Sequence, residues 1–292
     1  GMVMIIDIHR HFMPKELYEQ YGPLNKATWR YNDPVLEFTF YHKLYEVDVQ
    51  LRDMDEAGID KSAVVHASTC YGYDASYLVD SVVAYPTRFT GVCSVDVLAP
   101  TGPERIRYWY GKGMRGLRLF TVGSTMTTQS NWLDDPRTNP SWETVEELRI
   151  PMCLQVRIPG MAMVKNMIER FPKVNVIVDH MMGVEFDDGA PFAKAAPLFD
   201  LVRYPNVHLK VSSNNVRVAK KLADGGQAFF TKVVKEFGSD RMAWGSNFPA
   251  QAGTLKEIVD ESKAAFAFLP EKDQLNIFRR TAQSLYPVLA DK

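Results

Sequence analysis

The stretch "IIDIHRHF" (residues 5–12) joins an apolar run to two histidines, His9 and His11, that are separated by a single residue. A short apolar run of this kind is typical of a strand that is buried on both faces in a parallel sheet. Side chains two residues apart lie on the same side of a strand, so both imidazoles are expected to project together from its carboxyl end. The stretch therefore predicts a buried strand with half of a metal site, or half of a catalytic site, at its tip.

Seven similar runs follow the first, and helical patterns fill the gaps between them. The eight predicted strands are residues 3–9, 62–68, 89–97, 115–120, 151–158, 174–180, 207–212 and 241–247. Eight strand–helix units without a break in composition predict a single-domain (β/α)8 TIM barrel over residues 2–292. A doubly wound open sheet is the alternative, but it would be expected to carry a glycine-rich phosphate loop after an early strand, and the sequence has none.

Two segments, residues 12–44 and 121–140, are too long for the minimal strand–helix repeat. Each follows the carboxyl end of a predicted strand and is rich in aromatic and polar side chains. Long ordered loops of this kind commonly act as lids or pocket walls. We expect both insertions to lie over the C-terminal face of the barrel.

The composition argues against several classes of partner. The 292 residues carry a net charge of −1, and no basic stripe, stacking motif or bilayer-length apolar run is present. A nucleic-acid or membrane partner is therefore not expected. No charged-then-apolar leader precedes the first strand, and the three cysteines are too far apart for a disulfide framework, so a cytoplasmic protein is expected. The composition is compatible with a homo-oligomer.

Polar side chains collect at the predicted strand ends, where TIM barrels place their chemistry. The candidates are His9, His11, Ser68, Tyr71, Arg118, Gln155, Arg157, His180, Arg217 and Asn247. Arginine forks suit carboxylates, so converging arginines indicate a small carboxylate-bearing substrate. Asp179 is adjacent to His180, and strand alternation would turn it to the opposite side, in a structural role.

Several motifs resemble the amidohydrolase superfamily in its amidohydrolase 2 branch. They are "DIHRH" (7–11), "VDHMMG" (178–183), "WGSNFP" (244–249) and "IFRRTAQSLYP" (277–287). The segments "CYGYDASYLVDSV" (70–82), "RFTGVCSVD" (88–96) and "GMRGLRLF" (113–120) are most similar to the group of 2-pyrone-4,6-dicarboxylate lactonases and sugar lactonases. The resemblance covers nearly the whole chain. It implies a TIM barrel with a hydrolytic site, and it matches Arg118 and Arg217 to positions that bind substrate carboxylates.

The resemblance also bears on metal binding. Metal-dependent members of the superfamily are similar at His9 and His11 and add a histidine on strand five and an aspartate on strand eight. This chain has Gln155 and Asn247 at those positions. Neutral carboxamides give up the Coulomb attraction to a dication, whereas zinc sites prefer imidazole, thiolate and carboxylate ligands. We therefore expect His9 and His11 to bind metal weakly or not at all and no cofactor to be required, although zinc could collect at this incomplete ligand set.

The resemblance implies that the strand-one histidines polarise a scissile carbonyl and that an aspartate on strand eight activates water. Asn247 departs from this pattern because an amide cannot accept a proton at neutral pH. His180, or a loop carboxylate among Glu185, Asp187 and Asp188, could supply the base instead, or the lactone could be reactive enough to need little help from a base. The expected function is a hydrolase that opens a small anionic lactone or related cyclic ester. The alternatives are a metal-dependent decarboxylase or hydratase of aromatic-degradation intermediates, and a ligand-binding pseudoenzyme.

Overall fold

The computed structural model describes residues 4–11, 47–66, 73–123, 127–248 and 250–291. Eight parallel strands follow one another in sequence order around one sheet. Their bounds are β1 Ile5–Arg10, β2 Ile59–Val65, β3 Phe89–Cys93, β4 Met114–Phe120, β5 Met152–Gln155, β6 Val176–Val178, β7 Val207–Ser212 and β8 Met242–Gly245. All eight predicted strands are present, most of them shorter than the apolar runs that predicted them.

The sheet closes because its first and last strands meet at their carboxyl ends. The backbone N–H of Asn247 donates to the carbonyl oxygen of His9 at 2.7 Å. The N–H of His11 donates to the carbonyl oxygen of Phe248 at 3.0 Å. The predicted (β/α)8 barrel is confirmed, and the open-sheet alternative is wrong.

Helices connect the strands and pack outside them. They are α1 Val47–Ala57, α2 Ser76–Ala84, α3 Gly102–Gly111, α4 Asn139–Leu148, α5 Met161–Arg170, α6 Ala196–Phe199, α7 Ser213–Lys220, α8 Gln227–Phe237, α9 Leu255–Phe266, α10 Glu271–Leu275 and α11 Thr281–Leu285, with a π-helical turn at Asn276–Arg280 between the last two. Short 3-10 turns lie at Pro136–Thr138, Ile158–Gly160, Ala193–Ala195, Asp200–Arg203, Ser239–Arg241 and Pro287–Leu289. Among the described residues, no helix combines the length and the apolar character needed to cross a bilayer.

Two apolar layers hold the barrel together. The outer layer is formed between the strands and the helices around them. The inner layer joins strand residues such as Ile6, Val92 and Ile177 to Leu285, Tyr286 and Leu289 at the end of the chain. Lys61 Nζ donates to the carbonyl oxygen of Leu289 at 3.0 Å, next to the amino-terminal half of β2. The chain end therefore fills the bottom of the barrel, which leaves the carboxyl ends of the strands for polar side chains.

The described part of the second insertion runs over the ends of β4 and β5, as predicted. Gln129 donates from Nε2 to Thr121 Oγ1 at 2.7 Å, and its Oε1 accepts from the backbone N–H of Arg157 at 2.9 Å. The insertion merges into α4 at Asn139. The prediction for residues 12–44 lies entirely outside the described residues.

Candidate active site

β1 and β6 bring three histidines together at the C-terminal face. The rings of His9 and His11 have centroids 5.0 Å apart, and those of His9 and His180 have centroids 4.9 Å apart, both edge-on. The Asp7 carboxylate fixes this end of β1, because Oδ1 accepts the N–H groups of His9 at 3.0 Å and Ser246 at 2.9 Å. The convergence predicted for the three histidines is therefore present.

His180 reaches the cluster through an unusual backbone. His180, Met181 and Met182 all have positive φ values, between 51° and 60°. Successive left-handed residues are uncommon outside glycine, and they break the alternation of side chains along an extended strand. Asp179 and His180 consequently both face the cluster. The prediction that Asp179 points away was wrong for this reason.

Lys210, on β7, contacts three groups beneath the histidines. Its Nζ lies 2.9 Å from His9 Nδ1, 2.7 Å from Asp179 Oδ1 and 3.8 Å from Cys153 Sγ. The side chains of Lys210 and Asp179 are both fully buried. Sequence reasoning missed Lys210, although a lysine within the buried run "VHLKVS" is itself a signal, because lysine is almost never fully buried without a partner.

The remaining oxygen of Asp179 binds Arg118. Arg118 Nε donates to Asp179 Oδ2 at 2.8 Å, and its Nη2 donates to Gln155 Oε1 at 3.3 Å. Burial alone would raise the pKa of Asp179, but the two cations outweigh it and hold that pKa below its usual range. With Lys210 and Arg118 positive and Asp179 negative, the buried group has one positive charge in excess.

The hydrogen-bond partners assign a tautomer to each histidine. An ammonium has only donors, so Lys210 requires His9 Nδ1 to accept, and the proton of His9 is then on Nε2. A carbonyl only accepts, so the contact of 2.8 Å between His11 Nδ1 and the oxygen of Val65 places the proton of His11 on Nδ1. His9 Nε2 is buried and has no hydrogen-bond partner in the described structure, which makes it an N–H donor available to a ligand.

A short chain of bonds orients His180. Its Nδ1 lies 2.6 Å from Ser212 Oγ, and Ser212 Oγ donates to Asn215 Oδ1 at 3.3 Å. The amide of Asn215 is held in place because its Nδ2 donates to the carbonyl oxygen of His180 at 3.0 Å. Ser212 therefore accepts from the N–H at Nδ1, and Nε2 of His180 keeps its lone pair.

All three imidazoles are neutral at pH 7. Burial lowers the pKa of His11 to about 3, and the charge of Arg118 adds to the effect. Burial also lowers the pKa of His180 to about 3, although Asp179 acts in the opposite direction. The pKa of His9 is lowered well below its ordinary value by burial and then by Lys210. The site therefore combines neutral bases with an excess of fixed positive charge.

Asn247 stands beside the cluster in a left-handed conformation with φ of 52°. Asparagine and aspartate tolerate this region better than most residues with a Cβ atom. Its Nδ2 donates to Asn214 Oδ1 at 2.9 Å, and the side chain is 8% exposed. The backbone bond from Asn247 to His9 fixes this residue next to the predicted catalytic histidine.

The two other predicted arginines lie in different places. A Cβ atom on Gly183 would lie 2.4 Å from Arg157 Nη1, so the guanidinium of Arg157 covers the turn that carries His180. Arg217, on α7, donates to Glu261 Oε2 at 3.1 Å, Gln251 Oε1 at 3.1 Å and the carbonyl oxygen of Ala252 at 2.6 Å. Arg157 therefore lies beside the turn that carries His180, whereas Arg217 is engaged with the loop after β8 and with α9. Ser68 and Tyr71 fall outside the described residues.

Comparison with known proteins identifies similarity over nearly the whole chain. The family model described as amidohydrolase matches residues 6–288. No curated protein matches the chain.

Solved structures share the fold at low sequence identity. A Pseudomonas putida protein proposed to be a 2-pyrone-4,6-dicarboxylic acid hydrolase superposes with a TM-score of 0.78 at 17% identity, covering 100% of both chains. An amidohydrolase from Burkholderia multivorans with bound zinc gives 0.77 at 18% identity over 98% of this chain and 99% of the other. A 2,6-dihydroxybenzoate decarboxylase from Rhizobium gives 0.71 at 17% identity over 99% and 100%.

Proposed function

Because the chain belongs to the amidohydrolase family, we propose that it is a hydrolase that opens a small carboxylate-bearing lactone or a related cyclic ester. The observation that carries the proposal is the excess positive charge of Lys210, Arg118 and Asp179 beside three neutral imidazoles. A buried positive excess favours an anionic ligand over a neutral or cationic one. The similarity to a proposed pyrone dicarboxylate hydrolase supports the same class of substrate.

His9 supplies the electrophilic contact in this proposal. Its Nε2–H is buried and without a partner, so a carbonyl oxygen of the substrate can accept from it. The bond strengthens as negative charge develops on that oxygen during attack by water, which is how preorganised donors lower a barrier. Lys210 supports the charge through Nδ1 of the same ring.

His180 activates the water. Ser212 holds the Nδ1–H of His180, so the Nε2 lone pair is free to take a proton. The lowered pKa makes this imidazole a weak base. A bound carboxylate stabilises the imidazolium and raises that pKa, so an anionic substrate strengthens the base that acts upon it. Asn247 then orients water rather than deprotonating it.

Arg118 and Arg157 bind the substrate carboxylates. Two of the N–H groups of Arg118 are engaged with Asp179 and Gln155, and the guanidinium carries five in all, so donors remain for a ligand. Arg157 is exposed at the turn next to His180. Its place at the rim suits a second carboxylate on the same ring.

A metal does not fit the donors that this chain presents. His9 offers a hydrogen rather than a lone pair at Nε2, and both oxygens of Asp179 are bonded to cations. Among the described residues, no three histidine, cysteine, aspartate or glutamate side chains are arranged to hold an ion. The proposed hydrolysis therefore uses the chain's own groups, and the decarboxylase alternative, which rests on a metal, is not favoured.

The experiment is a set of three lactones of one ring size with two, one and no carboxylates, beginning with 2-pyrone-4,6-dicarboxylate. Ring opening is followed by the loss of lactone absorbance with an excess of chelator present. We expect turnover of the carboxylated lactones, with a kcat/KM about 100-fold or more above that of the uncharged lactone. The uncharged lactone forms no charge-assisted bonds and leaves the positively charged side chains of the site unpaired. Binding without turnover would support the pseudoenzyme alternative, and release of CO2 from a hydroxybenzoate would support the decarboxylase.

A further inference from the structure

Lys210 occupies a position that bears on whether His9 can act as a metal ligand. Its three contacts, His9 Nδ1, Asp179 Oδ1 and Cys153 Sγ, equal the number of hydrogens on an ammonium group. The side chain is completely buried. Each hydrogen therefore has a fixed direction, and the one that points to His9 decides where the proton of that ring lies.

We propose that Lys210 is an internal cation that takes the place of a metal in this barrel and converts His9 from a potential ligand into a hydrogen-bond donor. The proposal rests on the bond of 2.9 Å between Lys210 Nζ and His9 Nδ1 and on the fully buried pair of 2.7 Å with Asp179. It deepens the proposed function, on which it rests for the role of His9 in polarising a carbonyl.

The tautomer of His9 is the first obstacle to metal binding. A metal is bound by the lone pair of a ring nitrogen, and in protein sites the other nitrogen donates to a carbonyl or carboxylate. His11 has that arrangement, because its Nδ1 faces the oxygen of Val65. His9 has the reverse arrangement, because its Nδ1 faces a donor. Lys210 thus removes one of the two strand-one ligands while leaving the ring in place.

The charge of the buried group is the second obstacle. Asp179 could neutralise a dication, but its two oxygens are engaged with Lys210 and Arg118. A metal ion would therefore enter a group that already has a positive excess, and like charges in a buried site disfavour one another. A neutral residue at position 210 would remove both obstacles at once.

The test is zinc affinity measured by competition with a chromophoric chelator, without any substrate. We expect Lys210→Met to bind about one equivalent of zinc roughly 10–100-fold more tightly than the parent, which is the usual size of an outer-shell effect on metal affinity. Lys61→Met is the matched control, since Lys61 bonds carbonyl oxygens at the bottom of the barrel, and its zinc affinity should equal that of the parent. Equal affinity in Lys210→Met and the parent would overturn the proposal.

Two further measurements locate the effect. In Lys210→Met combined with His11→Asn, the gain in zinc affinity should be lost, and a gain that persists would place the zinc elsewhere and overturn the proposal. In the parent protein, ring 15N shifts should show His9 as the Nε2–H tautomer, and this measurement needs no variant to fold. An Nδ1–H tautomer would overturn the proposal, whereas failure to hydrolyse any lactone would contradict the proposed function and leave these metal and tautomer results standing.

Discussion

The hydroxyl of Ser212 lies 2.6 Å from Nδ1 of His180, and the two residues come from neighbouring strand ends. We expect Ser212→Ala to lower kcat on a carboxylated lactone about tenfold, because the His180 ring loses the acceptor that holds its Nδ1–H. This loss is a part of the roughly 10²–10⁴-fold acceleration that a positioned base supplies. KM should change little, since Ser212 is fully buried. Ser213→Ala removes an adjacent buried hydroxyl that donates to the oxygen of Ser246, and it is the matched control. Equal losses in the two variants would contradict this role.

Restoring a carboxylate at position 247 should accelerate the reaction. Asn247→Asp keeps a residue that tolerates the left-handed backbone, and its intrinsic pKa of about 3.9 leaves it ionised at neutral pH. The amide of Asn214 must turn its NH2 group toward the new carboxylate, since Asn214 Oδ1 now accepts from Asn247. We expect an increase in kcat of about tenfold or more on small anionic lactones. A slower Asn247→Asp enzyme together with an unaffected His180→Asn enzyme would refute our assignment of the base.

The value of kcat/KM should not show the fall near pH 6.5 that protonation of an ordinary catalytic histidine would cause. A free imidazole with a pKa near 6.5 would lose about tenfold of its neutral form on going from pH 7.5 to 5.5. The pKa of His180 is lowered to about 3, chiefly by burial, so its neutral form persists across this range. We expect kcat/KM to vary less than about twofold between pH 5.5 and 7.5. A tenfold fall toward pH 5.5 would show that the working base titrates normally.

The same lowered pKa makes stability depend on pH. In the unfolded chain His180 takes up a proton below about pH 6.5, whereas in the folded protein it stays neutral until about pH 3. The contribution of His180 to the free energy of unfolding is therefore fully present above pH 6.5 and is lost as the pH falls from 6.5 towards 3. His180→Asn should therefore lose less stability than the parent between pH 6.5 and 5, by about 1.4 kcal/mol per pH unit. Urea denaturation at several pH values measures both. Asp7, whose pKa is raised by burial, acts in the opposite direction in both proteins and cancels in the comparison.

Substitution of Arg157 should affect substrate binding, whereas substitution of Arg217 should affect stability. Arg157→Met should raise KM for dicarboxylated lactones about tenfold, the value of one charge-assisted bond, and leave stability nearly unchanged because the side chain is exposed. Arg217→Met should instead lower the unfolding midpoint, because it removes bonds to Glu261, Gln251 and Ala252. Steady-state kinetics measure the effect on KM, and thermal melts measure the effect on the unfolding midpoint, in both variants. A KM effect in Arg217→Met alone would restore the substrate role that the family resemblance implies for it.

The fold was predictable because each strand is an apolar run bounded by helical patterns, and the barrel follows from eight such units. His9, His11 and His180 were predictable as a group because catalytic residues of TIM barrels lie at strand ends. The sequence did not show that Asp179 and His180 face the same side, since a left-handed run that begins at His180 replaces the expected alternation after Asp179.

The hydrogen-bond partners of the histidines could not be predicted from the sequence alone. Lys210 lies four residues into β7, and nothing in its spacing shows that it faces inward under His9 rather than outward. The spacing of Ser212 and Asn215 is typical of a helix start, and the two residues form a capping box at the beginning of α7. Their second role, orienting His180, depends on β6 and β7 being neighbours, which only the assembled sheet provides.

The bonds that join His9 and His11 to Asn247 and Phe248 link positions more than 230 residues apart in a chain of 292. During synthesis the first strand emerges early, but its final partner appears only after most of the chain has been made, and contacts so distant in sequence form late and slowly. In the proposed function, the site for an anionic ligand is consequently complete only when the ring of strands has closed. Under the same proposal, capture of an anionic ligand reports ring closure, and a ligand added during refolding stabilises only molecules that have passed that step.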